Sequence, residues 1–418
     1  DGNYLTSFSP DYFTDKFEND WGEAMNFSSE GVREFYLANG AYWIDEYHFD
    51  GLRLDATQDI HDTSEEHILA ALKRRVHEAA PHRNVYIVAE NEPQDVTLVT
   101  AQTEGGYELD SLWNDDFHHS ALVAMTGRNE AYYTDYLGHP QEFVSAAKYG
   151  YLYQGQWYKW QKKRRGTAAC DLPPWNFVTF IQNHDQVANS VTGERPNLLT
   201  SAGIYRAMSA LLMLGPGTPM LFQGQEFGAT TPFFYFCDHE AKLCELITAG
   251  RKKFLSQFPS AAQPETQKNI TNSGSADTFQ RSKLDFSERE KNARLYGLYK
   301  DLIKLRAADP VFAEMQNSRS LDGAVLSDSA FVLRYFNKRY GDRLLLVNLG
   351  RDLCLEPLPE PLLAAPRGKC WQLLFSTEAP QYGGTGTVPP DKGSFLRLAG
   401  HSAVVLQPVD SDKDDSDN

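Results

Sequence analysis

Three carboxylates stand at or just beyond the ends of strand-like apolar runs. Asp55 closes Phe49-Asp50-Gly51-Leu52-Arg53-Leu54-Asp55, Glu90 closes Val85-Tyr86-Ile87-Val88-Ala89-Glu90, and Asp185 follows Phe177-Val178-Thr179-Phe180-Ile181-Gln182-Asn183-His184. In a parallel barrel the C-terminal ends of the strands converge on one face, and chemistry sits there. Three acids crowded on such a face cannot all ionise at equal cost. One is pushed towards its protonated form while another stays charged. A proton donor beside an ionised carboxylate is the pairing that cleaves glycosidic bonds. Each acid alone has an ordinary explanation. Arg53-x-Asp55 could be a surface ion pair, Glu90 could face the positive end of a following helix, and Asn183-His184-Asp185 could be a turn. Their joint occurrence after three strands favours chemistry.

The intervening segments must position these acids. Gly31 to Tyr47 carries Val32, Phe35, Tyr36, Trp43 and Ile44 near helical spacing, although Asn39 and Gly40 interrupt the stripe. Asp62-Thr63-Ser64 offers N-caps, with Glu65 and Glu66 in the first turn of a helix bearing Ile68, Leu69, Leu72 and Val76 and ended by Pro81. Strands are expected at Val85–Ala89, Leu109–Trp113, Phe177–Ile181 and Pro219–Phe222, with a helix over Ser201–Leu214. Alternating apolar strands and helices predict a parallel sheet covered by helices. Five strand slots are visible, ending at Asp55, Glu90, Trp113, Asp185 and Phe222. A closed barrel of this kind has eight strands. The fold class expected is therefore α/β, a (β/α)8 TIM-type barrel lacking its first strands over residues 1–310.

Ser260 to Ser287, rich in Ser, Thr, Asn, Gly and Gln, reads as a long surface loop or insertion. A helix is expected over Lys291–Ala307. Beyond Pro310 the pattern changes to short alternating strands at Ala330–Tyr335, Arg343–Val347, Cys370–Phe375, Ser394–Leu398 and Ala403–Leu406. They predict a small antiparallel β-sandwich over 320–408, and residues 409–418 an acidic disordered tail.

A formal net charge of −16 argues against nucleic acid as a partner. No apolar run is long enough to cross a bilayer. Asp1 begins no basic or apolar leader and is not an initiator Met, so the chain is expected to start within a longer protein. Five scattered cysteines, an odd number, favour reduced thiols and a cytoplasmic setting. His118-His119 could suggest a metal site, but adjacent histidines point apart on a regular element and no spaced ligand completes the set. Substrate binding or a helix start is preferred, and no metal or organic cofactor is expected.

Gly51-Leu52-Arg53-Leu54-Asp55-Ala56, Ala89-Glu90-Asn91-Glu92-Pro93 and Gln182-Asn183-His184-Asp185-Gln186 resemble the second, third and fourth signature regions of the α-amylase superfamily, in the same order. Within it, Leu109 to His119, Thr231 to Glu240 and Thr278 to Phe286, with the opening through Asn26-Phe27, are similar to the maltooligosyltrehalose trehalohydrolases. The family's first signature region, an Asp…Asn-His stretch, does not occur in these residues. The resemblance implies a retaining α-glycosidase that hydrolyses the α-1,4 bond next to a terminal trehalose unit, in a pathway with a maltooligosyltrehalose synthase. Its implied roles are nucleophile for Asp55, acid and base for Glu90, and ring stabilisation for Asp185. Substrate contacts are implied for Trp21, Arg53, Gln58, Asp115, Asp116, Phe117, His118, Trp160, His184, Gln186 and Asn189. Relatives often carry an Arg after the aromatic at Trp160, where this chain has Gln161 and then Lys162-Lys163-Arg164-Arg165, a run expected to be a solvated loop. Two alternatives remain: a glucan branching or debranching enzyme, or a non-catalytic glucan-binding remnant.

Overall fold

The computed structural model describes residues 4–19, 22–313, 320–357, 359–388 and 396–411. Helix α1 (Glu30–Asp45) leads to strand β1 (Gly51–Leu54), and helix α2 (Ile68–Ala79) to strand β2 (Tyr86–Ala89). Strand β3 (Ser111–Trp113) is followed by helices α3 (Asp115–Thr126) and α4 (Pro140–Tyr149). Strand β4 (Phe177–Thr179) precedes the short helix α5 (His184–Ala188) and the long α6 (Ala202–Leu214), which returns to β5 (Thr218–Pro219). Helices α7 (Ala241–Leu255) and α8 (Ala293–Ala308) complete this part.

Strands β1 to β5 form one parallel sheet in sequential order. The register pairs Leu54 with Ala89, Ala89 with Leu112, and Trp113 with Val178, so the strand ends finish nearly level. Asp55, Glu90 and Asn114 therefore follow their strands on one rim. Among the described residues β1 and β5 each have one neighbour, and the sheet is an open parallel wall. Gly51 is required in β1, because a Cβ there would stand 2.0 Å from the carbonyl oxygen of Tyr86.

The core explains several boundaries. Helix α1 runs straight through Asn39 and Gly40 because Gly40 faces α2. A Cβ at Gly40 would come within 2.5 Å of Leu72 Cδ1, so glycine allows the two helices to approach. Leu37 and Ile44 of α1 share a buried cluster with Ile68, Leu69 and Val76 of α2 and with Ile87 and Leu112 of the sheet. Helix α2 starts later than expected. His67 is its N-cap, its ring accepting from the Leu69 N–H, and Glu65 and Glu66 precede the first turn. Asp62 still assists from outside the helix, accepting from Ile68 N–H at 2.6 Å and pairing with Arg33 at 2.7 Å.

The stretch expected as a loop from Ser260 to Ser287 instead contains the short helices Pro264–Gln267 and Ala276–Ser282, with Pro259–Ala262 at its entrance. Proline at the first helical position starts two of them, a signal the polar composition masked. The strand expected over Pro219–Phe222 is only Thr218–Pro219, although Met220 N–H still donates to Thr179 O at 2.8 Å.

Beyond α8, strands β6 (Leu321–Ser327), β7 (Ala330–Tyr335), β8 (Arg343–Asn348), β9 (Leu353–Leu355), β10 (Lys369–Ser376), β11 (Leu396–Leu398) and β12 (Ser402–Asp410) follow. Five form an antiparallel sheet in the order β6-β7-β8-β12-β10, and β9 pairs with β11. One face of the larger sheet meets the β9–β11 pair through Val332, Leu344, Leu346, Val404, Leu396 and Leu398. The other face buries Phe331, Leu333, Leu345 and Val405 among residues of α6 and α8. Burial on both faces explains why every residue of β7 and β8 is buried, without the alternation of a half-wet sheet. The expected tail begins too early at 409: Val409 and Asp410 still pair with Cys370 and Lys369 in β12. Residues 412–418 lie outside the described residues, as do Ser394 and Phe395 of the expected fourth strand.

Candidate active site

Arg53 is the centre of the rim. It projects from β1, and one guanidinium nitrogen contacts Asp55 while the other stands 3.0 Å from Glu90 Oε2. Its plane lies 4.4 Å from the centre of the Trp113 ring at the end of β3. One fork thus holds both acids, and an indole holds the fork. The turn after β1 adds a third contact. Ala56 adopts a left-handed conformation (φ 42°) that aims its N–H at Glu90 Oε2, 2.8 Å away. The main chain ties the two strand ends together as well, since Thr57 N–H and Oγ1 both donate to the Glu90 carbonyl, at 3.0 and 2.7 Å.

The electrostatics differ across the group. Burial pushes the Glu90 carboxyl above its ordinary value. The Ala56 N–H and Arg53 counter this, while the charges of Asp55 and Asp185 add to it. All three sequence-selected acids therefore act on one locality. Asp55 is open to solvent, with 76% of its side chain exposed. Asp185 enters from α5, where Asn183 caps the helix by accepting from Gln186 N–H at 2.7 Å. His184 Nε2 stands 3.3 Å from Asp185 Oδ2, and both side chains are about half exposed, at 48% and 47%.

A second cluster adjoins Glu90. Arg165 reaches Glu92 at 3.4 Å and Asp115 at 3.8 Å, and Gln161 Nε2 donates to Glu92 Oε1 at 2.6 Å. Burial pushes the Asp115 carboxyl up to about 7. Arg165 opposes the rise, and Glu90, Glu92 and Asp116 reinforce it. Burial opposes the charge on Arg165, but Tyr136, Asp116, Glu92 and Asp115 around it more than offset that. Of the basic run, Lys162, Lys163 and Arg164 are exposed as expected, but Arg165 is only 3% exposed and departs from the expectation of a solvated loop. It lies behind the two-residue hairpin Trp157–Tyr158/Lys163–Arg164, with its guanidinium 4.9 Å from the Tyr158 ring centre.

Other residues expected at the substrate fall elsewhere. Asp116 is fully buried. Its carboxylate accepts from Tyr136 OH at 2.6 Å and from the N–H groups of Leu152 and Tyr153 at 2.7 and 2.9 Å, a structural anchor with no exposed acceptor. Phe117 is core, packed edge-on to Phe143. His118 is buried against Phe180, and burial holds it neutral, its pKa lowered to about 3. The first turns of α3 are enclosed on every side: only the N-terminal Asp115 reaches the rim, while residues 116–121 are all buried.

Gln58 is half-buried in the turn after β1, and its Oε1 finds no donor among the described residues. Gln186 accepts from the hydroxyls of Tyr132 and Tyr133 at 2.8 and 2.9 Å, and Asn189 Nδ2 donates to Tyr132 OH at 3.2 Å. Gln186, Asn189 and His118 line a cavity of about 280 Å³ beside α5 whose lining contains none of the three acids. Trp160 is exposed at the hairpin tip, its N–H donating to Asp135 at 3.0 Å. Trp21 lies outside the described residues.

Four contributors escaped sequence reading: Ala56, Glu92, Arg165 and Arg251. Arg251, on α7, donates to Asn189 Oδ1 at 2.9 Å and to Ala188 O at 3.1 Å, while stacking 4.9 Å from Tyr235. Glu92 carried a signal, since a second acid two residues beyond Glu90 points to the same side of an extended chain. The others depend on tertiary contacts. Among the described residues no group of three or more His, Cys, Asp or Glu side chains is arranged to hold a metal ion, and no helix is long and apolar enough to cross a membrane.

Comparison with known proteins identifies the family. Residues 7–314 match the family model "Alpha amylase, catalytic domain", and residues 318–405 match a domain of unknown function, DUF3459. A malto-oligosyltrehalose trehalohydrolase from Deinococcus radiodurans is 38% identical over 359 residues, covering 84% of this chain and 57% of that protein. One from Saccharolobus solfataricus is 36% identical over 310 residues, covering 73% and 52%. The chain thus spans little more than half the length of these curated relatives. A crystal structure from Salmonella typhimurium, of a protein assigned to the alpha amylases, superposes with a TM-score of 0.80 at 28% identity, covering 97% of this chain and 65% of that one.

Proposed function

The chain belongs to the α-amylase catalytic-domain family, and from that premise we propose that it carries the acids of a retaining α-glycosidase acting on maltooligosyltrehalose. Asp55 is the nucleophile. Arg53 contacts its carboxylate, and its exposure leaves it open to an anomeric carbon. Glu90 is the proton donor, and its raised affinity for a proton suits that task. In the first step an Asp55 oxygen bonds to the anomeric carbon as the glycosidic bond breaks, and Glu90 gives its proton to the departing oxygen. In the second, Glu90 takes a proton from water, whose oxygen displaces Asp55 and restores the starting configuration. Asp185, with His184, holds the hydroxyls of the distorted ring. Neither step uses a metal or an organic cofactor.

The observation that carries this reading is the Arg53 fork. One guanidinium reaches both carboxylates, so the nucleophile and the proton donor flank the same small space, as the two acids of a glycosidase must. The choice of substrate rests on the relatives' activity and on the stretches Leu109 to His119 and Thr231 to Glu240. The test is product analysis of the protein that carries this chain, given maltooligosyltrehalose or maltooligosaccharide. Release of trehalose from the first is expected. Hydrolysis of the second alone, or formation of new α-1,6 branches, would reject the substrate.

A further inference from the structure

Cys237 and Cys244 hold their sulfur atoms 3.6 Å apart. Cys244 is buried near the start of α7, and Cys237 is partly exposed on the loop before it. The surroundings keep them facing each other. Cys237 N–H donates to Ser273 O at 2.8 Å, and the Cys244 thiol donates to His239 O at 3.3 Å. Gly274 backs the pair so closely that a Cβ there would stand 2.5 Å from Cys244 Cβ. Both thiols are free.

We propose that Cys237 and Cys244 are a reversible oxidation site that closes an intramolecular disulfide on receiving oxidising equivalents from a low-molecular-weight disulfide. The more accessible Cys237 loses its proton and attacks one sulfur of the small disulfide, releasing one small thiol. Cys244 loses its proton and displaces the second from the mixed disulfide. Two protein thiols are oxidised to one disulfide, one small disulfide is reduced to two thiols, and the protons end on those thiols. The sulfurs must close by about 1.5 Å to reach the ~2.05 Å of a bond. Such pairs suit a reducing compartment, where disulfides are transient and sensing.

The bond would fasten the loop to the helix at a consequential place. Tyr235 precedes Cys237 on that loop and stacks on Arg251 of α7, which in turn holds Asn189 and the end of α5 bearing Asp185. The closed form fixes the Tyr235–Arg251 stack against that turn, and the open form lets the loop move apart from the helix. Burial and the neighbouring Cys244 push the Cys237 thiol up to about 11, so closure should quicken as pH rises towards that value, unlike the reaction of an activated low-pKa thiol.

The test treats the native chain with oxidised glutathione at pH 7 and pH 9, alkylates the remaining thiols and maps the peptides by mass. A Cys237–Cys244 linkage two hydrogens lighter is expected, forming faster at pH 9 and reversed by dithiothreitol, with Cys170 and Cys354 not joined to either. Tm should rise by a few degrees on closure, and neither effect should occur in Cys237→Ser or, separately, in Cys244→Ala. Alkylation of both cysteines after oxidation, glutathione confined to Cys170 and Cys354, or linkage only in denaturant would overturn the proposal. No sugar enters these measurements, so their failure is separate from failure of the proposed reaction.

Discussion

Arginine–carboxylate pairs occur both at the rim of the parallel sheet and within the antiparallel sheet, and they do opposite things. In the C-terminal region the pairs are nearly closed accounts of charge. Arg343 Nε donates to Asp309 at 2.8 Å while its Nη1 reaches the carbonyls of Tyr340, Gly341 and Asp342. Arg334 grips Asp342 through two nitrogens, and its third donates to Leu362 and Ala364 carbonyls. At the rim the acids outnumber the bases. Arg53 is shared by Asp55 and Glu90, Arg165 is shared by Glu92 and Asp115, and among the described residues Nε and Nη2 of both arginines make no hydrogen bond, the Glu90 and Asp115 contacts being ionic. A balanced buried pair fixes a fold. A shared cation among surplus acids leaves one carboxyl protonated and another charged, which is the precondition for acid–base work.

The sharpest way to break this contrast is to neutralise one rim acid. Glu90→Gln should lower kcat/KM on the proposed substrate by roughly 10³-fold or more, with folding intact by circular dichroism. Removing a charge from a crowded site should leave Tm unchanged or raise it, and a large loss of Tm would contradict the contrast. Next comes the mirror experiment. Asp309→Ala strands the buried Arg343 and should cost about 3–5 kcal/mol in urea unfolding while leaving the KM of the remaining folded protein unchanged.

A third experiment uses pH. The Asp115 carboxyl binds its proton more tightly when folded, up to about 7, than at the ~3.9 of an unfolded chain. The folded state therefore holds more protons between these values, and stability falls as pH rises from about 4 to 7. Asp115→Asn should flatten that slope by an amount on the order of a few kcal/mol, read from unfolding curves at several pH values. The smallest effect is expected at Trp160. Trp160→Ala should raise KM only a few-fold, since an exposed ring at a hairpin tip contributes about 1 kcal/mol of stacking.

What the residue order revealed follows the same division. Apolar runs ending in acids are local, so β1, β2 and the positions of Asp55 and Glu90 were legible, as was α6 to within one residue. Helix α7 was missed because its polar, basic sequence shows no clean apolar stripe, and it packs largely through Cys244 and Leu255. Strand β6 was missed because Asp322 and Gly323 break its alternation; their place is explained by Lys148, 2.7 Å from Asp322, and by Leu333, which a Cβ at Gly323 would meet at 2.8 Å. The four-base run ending in Arg165 looks solvated because charge runs usually are. Only the fold brings Glu92 and Asp115 to Arg165, and only the fold turns Phe117 and His118 inward from a motif whose first residue faces out.

The double-sided burial of the larger antiparallel sheet has a practical meaning. Its inner face shares side chains with α6 and α8, Tyr335 OH donates to Leu214 O at 2.8 Å, and Arg206 of α6 reaches Thr377 O at 3.0 Å and pairs with Glu378. Residues 320–411 are therefore not an interchangeable cassette. A chimera that swapped them between relatives would need to carry the matching outer surfaces of both helices, or the transplanted strands would meet a mismatched partner and leave greasy surface for other molecules to find.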